Sequence, residues 1–323
     1  MARLMTGDRL IESVRNRTMT PDDTSIYDDD HVLNIIDEEM TSQVLDKLLV
    51  LHGENLTIPV DIPKNAKGEY EIPYRAIGNK LRDASLVRGK EVYELSQVGI
   101  GELPDFSSQG IDSISGNDLF YIENNKLKLV NPNIAYDSIR LRYYLKPNSI
   151  TKTKEAGVIS DIVIDENAGT ISLVLSQVGK KFTATDLYDI VGKRSPNKIK
   201  SFDNNVSSLT VSSGTGTIVF SLDEIGSDYS EISIGDYVTL AGETPVPNIP
   251  SEMHPLLAQA AAVQLLEGMT DTEALRNAEN RLDKITKAVQ ELIDDRVELA
   301  PKKIKPRNGT LQQQIRGYKK GRY

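Results

Sequence analysis

The chain has 323 residues, no cysteine, three histidines and a formal net charge of −9. The lack of cysteine excludes disulfide scaffolds, zinc ribbons, iron–sulfur sites and thiol catalysis. No run approaches the roughly 18 apolar residues of a transmembrane helix, so we expect no membrane partner. At roughly 100–200 residues per domain, the length predicts two or three domains.

Residues 1–150 are predicted to form a helical part followed by strands. A short amphipathic helix follows Thr6, and a second helix begins after Asp28, a good N-cap residue, and ends near Gly53. From residue 55 the pattern changes to short extended segments. Among these are a hairpin around residues 123–126 and a strand at residues 138–145.

Residues 151–250 have a different composition, rich in Ser, Thr, Val, Ile and Gly. We predict hairpins at residues 158–175 and 209–220 and a further strand at residues 234–240. Residues 185–191 carry the only helical signal in this region. The pattern therefore favours an inserted small all-β domain, either a barrel or a sandwich.

Residues 251–300 return to a helical pattern. An alanine-rich helix at residues 253–266 precedes a long helix at residues 271–296, about 39 Å at 1.5 Å per residue. The apolar residues of the long helix repeat at intervals of three and four, which is typical of a and d positions. We call them the heptad seam and expect them to form the helix core against residues 28–52 and 253–266: Leu275, Ala278, Leu282, Ile285, Val289 and Leu292.

Residues 301–323, here called the basic arm, hold eight basic side chains and no acidic one. The preceding 300 residues keep 30 basic and 47 acidic side chains, a net charge of −17. An acidic body should repel nucleic acid, whereas the arm suits an acidic protein or a phosphate backbone. Its charged residues and apolar anchors are the predicted partner-binding residues: Lys302, Lys303, Lys305, Arg307, Leu311, Ile315, Arg316, Tyr318, Lys319, Lys320, Arg322 and Tyr323.

Motifs that carry chemistry are sparse. Gly99 and Gly101 form a lone Gly-x-Gly without the rest of a dinucleotide-binding fingerprint, so we interpret them as a turn. The acidic cluster at residues 22–30 lacks the alternation of a calcium loop and is explained by helix capping. We therefore expect no catalytic residue, no metal and no cofactor. Basic residues with interleaved tyrosines on the strands are open to two interpretations, a nucleic-acid face or subunit salt bridges: Arg75, Lys80, Arg82, Arg88, Arg140 and Arg142, with Tyr74, Tyr143 and Tyr144.

Four segments resemble structural proteins of tailed bacteriophages. They begin at Thr6 (TGDRLIESVRNRTMTP), Tyr70 (YEIPYRAIGNKLRD), Arg140 (RLRYYLKPN) and His254 (HPLLAQAAA). Together they resemble a head-to-tail connector, also called an adaptor or neck ring protein, over about residues 6–147 and 251–311. The resemblance implies a fold of class α+β. Its adaptor bundle would be helical, with a long C-terminal helix, and strands and the inserted β domain would be additions to it.

The resemblance also implies a function. The chain would form a homo-oligomeric ring of about twelve subunits in the neck of the virion, after synthesis in the cytoplasm of the bacterial host. The ring would bind the portal protein through the basic arm, contact further neck or tail ring proteins, and let DNA pass without sequence-specific binding. It would have no enzymatic activity. The alternative is a carbohydrate- or receptor-binding tail component that uses the β domain. The expected division is an N-terminal adaptor part at 1–150, the β domain at 151–250, C-terminal adaptor helices at 251–300 and the arm at 301–323.

Overall fold

The structure is a computed structural model. It describes residues 5–20, 27–102, 119–179, 181–193, 199–212, 214–269 and 272–293. Six α-helices lie in these ranges: α1 Gly7–Thr18, α2 Asp29–Glu39, α3 Leu45–His52, α4 Leu222–Ile225, α5 His254–Met269 and α6 Thr272–Ile293. The residues up to Leu292 belong to one compact unit.

Helix α5 is the centre of the helical part. It is apolar around most of its circumference, and eleven of its sixteen residues are buried, which is typical of a helix enclosed on all sides. Helices α1 and α2 both pack on it. From α1 the side chains of Leu10 and Val14 enter this core, and from α2 those of Val32 and Ile36 do so.

The helix predicted at residues 28–52 is present as α2 and α3, joined by a π-helical segment at Met40–Val44. Asp28 caps it as predicted, because its carboxylate accepts the amide of His31 at 2.7 Å. The apolar residues recur every fourth position, which drifts about 40° per step around an α-helix. The wider π turn offsets this drift, since Met40, Val44 and Leu48 are all buried.

Sixteen strands lie in the described ranges: β1 Thr57–Pro63, β2 Glu69–Glu71, β3 Ala76–Arg88, β4 Glu91–Glu94, β5 Ser96–Gln97, β6 Leu119–Glu123, β7 Lys126–Leu129, β8 Ser138–Leu145, β9 Ser149–Ile150, β10 Gly157–Asp165, β11 Thr170–Gln177, β12 Leu187–Val191, β13 Ile199–Ser212, β14 Thr215–Ser221, β15 Tyr237–Leu240 and β16 Glu243–Thr244.

Two four-stranded sheets follow the N-terminal helices. Their strand orders are β1-β8-β3-β4 and β2-β7-β6-β5. Strand β8 alternates strictly between half-buried and buried residues, and Ile139 and Leu141 join the buried face of β3 in one apolar cluster. The predicted hairpin is present between β6 and β7, with Asn124 and Asn125 both in the left-handed region that its two-residue turn requires.

Six strands of residues 157–240 form a closed barrel in the order β10-β11-β14-β13-β12-β15. Strands β10 and β11 form the hairpin predicted from the sequence, with Gly169 at a φ of +64° in its turn. The helical interpretation of residues 185–191 is wrong, because β12 pairs on one side with β13 and on the other with β15. Its residues Tyr188 and Ile190 fill the barrel core.

The expected fold class, a helical adaptor bundle with a long C-terminal helix, is wrong. The chain is a mixed α/β protein in which a closed barrel and several sheets account for as much structure as the helices do. Helix α6 has 22 residues over Thr272–Ile293, and residues 271 and 294–296 of the predicted helix lie outside the described ranges. The error has a physical origin: the strands between α3 and α5 form apolar cores of their own and are not additions to a helical bundle. Within the described ranges, no helix combines the length and apolar character needed to cross a membrane.

Candidate functional site

The two sets of residues predicted for assembly have different outcomes. The basic arm, from Lys302 to Tyr323, lies outside the described residues, so its role in partner binding stays a prediction. The heptad seam lies on α6 and is described over its whole length. Burial along the seam is uneven: Ala278 and Val289 are buried, the seam residues between them are half-buried, and Leu292 at the end is 72% exposed.

The first turns of α6 pack on α5. Ala278 shares an apolar cluster with Val263 and Leu266, and its carbonyl accepts a hydrogen bond from Nε2 of Gln259 at 3.1 Å. Leu275 and Leu282 are half-buried against the same cluster. This end of the seam therefore contacts one of the two helices that the sequence analysis expected.

The second half of the seam is only partly covered. Ile285 is half-buried, Val289 is buried and Leu292 is exposed. Burial lowers the pKa of Arg17 on α1. The positive charge of Arg281 on α6 lowers the same pKa to a smaller extent. An amphipathic helix whose apolar stripe is incompletely covered exposes apolar surface, and such surface is typical of contacts with a partner.

Two of the basic residues on the strands, Arg140 and Arg142, form close salt bridges within the subunit. Arg140 makes a bidentate pair with Asp61, with both distances 2.7 Å, and Arg142 contacts Asp83 at 2.8 Å. The side-chain hydrogen bond from Arg140 lowers the pKa of Asp61. These partners neutralise the charge that a nucleic-acid face would need, so the geometry favours the salt-bridge interpretation.

One residue of that basic set, Arg75, has an entirely different environment. Its guanidinium donates to both carboxylate oxygens of Asp189, at 2.8 and 3.0 Å, and also to Asp203. The Asn148 amide donates to the same Asp189 at 2.7 Å. We call Arg75, Asn148, Asp189 and Asp203 the junction cluster. Arg75 directly precedes β3 and Asn148 follows β8, both strands of the sheet β1-β8-β3-β4, whereas the two aspartates lie on the barrel strands β12 and β13.

Asp189 is the centre of the junction cluster. It is fully buried on β12, and its oxygens also accept the backbone amides of Asp203, at 2.9 Å, and Gly242, at 3.0 Å. Burial alone would lower the pKa of Arg75, but its hydrogen bonds to Asp189 and Tyr74 and the negative charges of Asp189 and Asp203 together outweigh burial and raise that pKa. Buried charges of this kind are tolerated only when they are paired and fully hydrogen-bonded.

Two further buried titratable groups tie separate elements together. The carboxylate of Asp37 on α2 accepts the amide of Ile150 on β9 at 2.8 Å, and burial raises the pKa of Asp37 to about 6. The Nδ1 atom of His254 accepts the amide of Met5 at 3.1 Å, while its Nε2 lies 3.3 Å from the carbonyl of Ile249. Burial lowers the pKa of His254 to about 4, so the ring is neutral at pH 7 and Nε2 is the donor.

The sequence analysis predicted an alanine-rich helix from residue 253, and His254 lies at the start of that helix, α5. It missed Asp37, Asn148, Asp189 and Asp203. Asp189 lies 114 residues from Arg75, so no local spacing could link them. The only available signal was an aspartate inside a run of apolar residues, Leu187–Val191, where a charge requires a partner.

Neither the described side chains nor the comparisons identify a chemical activity. In the described ranges, no group of three or more His, Asp or Glu residues is arranged to hold a metal ion. The chain matches no family model and no curated protein. Any functional assignment therefore depends on the resemblance of its segments and on the geometry above.

Proposed function

We propose that the protein is a structural subunit of the head-to-tail junction of a tailed bacteriophage, in which copies of the chain form a ring between the portal and the tail. The observation that carries the proposal is the incompletely covered heptad seam of α6. A seam that ends in an exposed leucine suits a helix that is completed by a neighbouring subunit.

The energetic argument concerns Leu292. Burying a whole leucine side chain contributes roughly 1.5–3 kcal/mol. With 72% of its surface exposed, covering Leu292 would contribute about 1–2 kcal/mol at each subunit contact. A ring repeats such a contact at every interface, and closing the ring adds avidity.

The charge distribution supports the same proposal. Residues 1–300 carry a net charge of −17, and Arg140 and Arg142 are already paired with carboxylates of the same subunit. An acidic wall repels the phosphates of DNA, so DNA could pass through such a ring without being held. The basic arm would then bind the portal protein, and the acidic body would face the channel and the next ring of the neck.

The alternative, a carbohydrate- or receptor-binding tail component, has no comparable support. Sugar sites stack their ligands on exposed aromatic rings, but Tyr188, Phe220 and Tyr237 of the barrel are buried. Phe182 packs edge-on against Tyr188, with 5.0 Å between the ring centroids, and Phe202 packs against Arg75. These rings belong to the barrel core and the junction cluster.

The proposal is tested by the mass of the full-length chain in solution, measured by light scattering and native mass spectrometry, with negative-stain images of the same sample. We expect a closed ring with a single subunit number. Leu292→Asp should shift the equilibrium toward monomer by about tenfold, the equivalent of about 1.4 kcal/mol. Val92→Asp, which alters an exposed valine on β4, is the matched control and should leave the mass unchanged.

A chain that stays monomeric at every concentration would refute the ring. A ring that tolerates Leu292→Asp as well as it tolerates Val92→Asp would remove the heptad seam from the interface. Addition of purified portal protein to the ring, with and without residues 301–323, then tests the role of the basic arm.

A further inference from the structure

The barrel has two strand segments whose outer sides are unpaired in the described chain. Strand β10 pairs with β15 only at Gly157 and Val158, and the backbone of Ile159 reaches the turn before β15. Residues 160–165 continue along β11 alone. Strand β13 pairs with β12 only up to Asn205, and residues 206–212 continue along β14 alone. We call these two segments the β10 edge and the β13 edge.

Three other sheet edges in the described ranges, at β1, β2 and β4, are protected against pairing. Strand β1 carries Pro59 and Pro63, which lack the amide that a further strand would need. Strand β4 is four residues long and has a glutamate at each end, and β2 is a three-residue strand with the same pattern. The β13 edge has the sequence VSSLTVS, which contains neither a charge nor a proline. Among the described strands, the β13 edge is therefore a long edge that lacks these devices.

The two edges are opposite sides of one sheet, β10-β11-β14-β13, and its apolar rows extend to both of them. Register aligns one such row across the four strands: Ile164, Ile171, Phe220 and Val206. The two central residues of the row are fully buried, but Ile164 is 42% exposed at the β10 edge. Val211, at the β13 edge and on the same face, is 52% exposed. The apolar face of the sheet is thus partly exposed at both of its edges.

Strand direction favours a second copy of this chain as the occupant. The four strands alternate in direction, so the β10 edge and the β13 edge run in opposite senses. In a ring with cyclic symmetry, every copy of a given strand runs in the same direction relative to the ring axis. Placing the β10 edge of one copy beside the β13 edge of the next therefore continues the antiparallel order without a break.

The side chains favour this pairing over the pairing of identical edges. Two β10 edges in antiparallel register would bring Asp161 of one copy opposite Asp165 of the other, and facing like charges are destabilising. The β13 edge offers Ser208 and Thr210 on the corresponding face, which can donate to those carboxylates. The amide of Ile162 donates to the Asp161 carboxylate at 2.9 Å, a local hydrogen bond that pairing with a neighbouring strand would replace.

We propose that the β10 edge of each subunit pairs with the β13 edge of its neighbour, so that the barrels of the ring are joined by continuous antiparallel sheet. This inference rests on the ring proposed above and names a second interface in it, separate from the heptad seam. Ile164 and Val211 of adjacent copies would cover each other at that interface.

The test uses the natural absence of cysteine in the full-length chain. Ile164→Cys and Val211→Cys are combined in one chain, and the assembled protein is treated with a short bis-maleimide cross-linker. Directly opposed residues in antiparallel strands have Cβ atoms about 4.5–5.5 Å apart, and diagonal neighbours remain within reach of the linker. We expect a denaturing gel to show a ladder of covalent oligomers from dimer up to the complete ring.

Each single-cysteine variant should give no ladder, and neither should the control pair Val50→Cys with Val92→Cys, which places thiols at two exposed valines elsewhere. Strong dimers from Ile164→Cys alone would mean two-fold pairing of identical edges and would overturn the inference. Rings that form normally but give no ladder would also overturn it, while leaving the proposed function intact. Absence of rings in every sample would instead refute the proposed function, and this interface with it.

A second measurement avoids cysteine altogether. Val211→Lys places a charge on the apolar face at the β13 edge, which is how natural sheets prevent edge pairing. We expect the fraction of chain in rings to fall at least tenfold, with an unchanged circular dichroism spectrum. Ile234→Lys, which alters a 65% exposed residue away from both edges, should leave the ring fraction unchanged. Equal effects of the two lysines would overturn the inference.

Discussion

Replacing Asp189 with alanine tests whether the junction cluster joins the barrel to the rest of the chain. The change leaves the buried Arg75 guanidinium with Asn148 and Asp203 but without its bidentate partner. It also leaves the amides of Asp203 and Gly242 without their acceptor. Removing one partner of a buried ion pair costs about 3–5 kcal/mol, because the remaining charge is uncompensated. We expect a loss near the lower end of that range, since Asp203 still contacts Arg75.

The chain contains a matched control for this prediction. Arg140 and Asp61 form a pair with the same bidentate geometry, at 2.7 Å for each bond, but Asp61 is 45% exposed. Water solvates and screens such a pair, so Asp61→Ala should cost only about 0–1 kcal/mol. The two substitutions delete the same functional group, and they differ in burial and in the backbone amides that Asp189 also accepts.

Urea unfolding followed by far-ultraviolet circular dichroism measures both free energies of unfolding on the same chain under the same conditions. Adding Arg75→Met to Asp189→Ala should recover part of the loss, because the uncompensated charge is then absent. An Asp189→Ala loss no larger than that of Asp61→Ala would refute the argument from burial. A double variant less stable than Asp189→Ala alone would refute the role given to the remaining charge.

The remaining predictions concern pH and follow from the two buried titratable groups. The pKa of Asp37 is raised to about 6, so the folded chain binds the proton more tightly than the unfolded chain, and stability falls as pH rises between about 4 and 6. Asp37→Asn should therefore stabilise the protein by about 1–3 kcal/mol at pH 8 and by much less at pH 4, as measured by urea unfolding. The pKa of His254 is lowered to about 4, so stability falls as pH decreases from about 6.5 toward 4. His254→Gln should make stability depend less on pH between about 6.5 and 4. An unchanged pH dependence would contradict the assignment of this loss of stability to His254.

Local features of the fold were predictable because their signals are local. The cap at Asp28, the asparagine turn at residues 124–125 and the turn at Gly169 each depend on residues no more than a few positions apart. Their backbone conformations are also restricted by residue type. Such signals identify where an element starts or turns, but they do not say which elements contact one another.

The tertiary arrangement could not be obtained in this way. Strand β1 pairs with β8 across 75 to 87 residues, and β12 is a strand because two barrel strands border it. The apolar spacing of α6 suggested a long helix in a bundle, yet a periodic stripe does not reveal how much of it is covered. The sequence alone therefore misjudged the architecture, while several of its elements were correct.

The junction cluster and the proposed edge pairing depend on each other. Strand pairing between subunits requires each amide to lie about 2.9 Å from its acceptor, a tolerance of a few tenths of an ångström. If the barrel could rotate about the proline-containing segment between β16 and α5, the paired strands of neighbouring subunits would not stay aligned around a ring. Asp189 removes this freedom, because it joins a barrel strand to Arg75, to Asn148 and to the turn at Gly242. A buried ion pair adds little net stability, but it selects one arrangement over others, which is the property that repeated assembly in a ring requires.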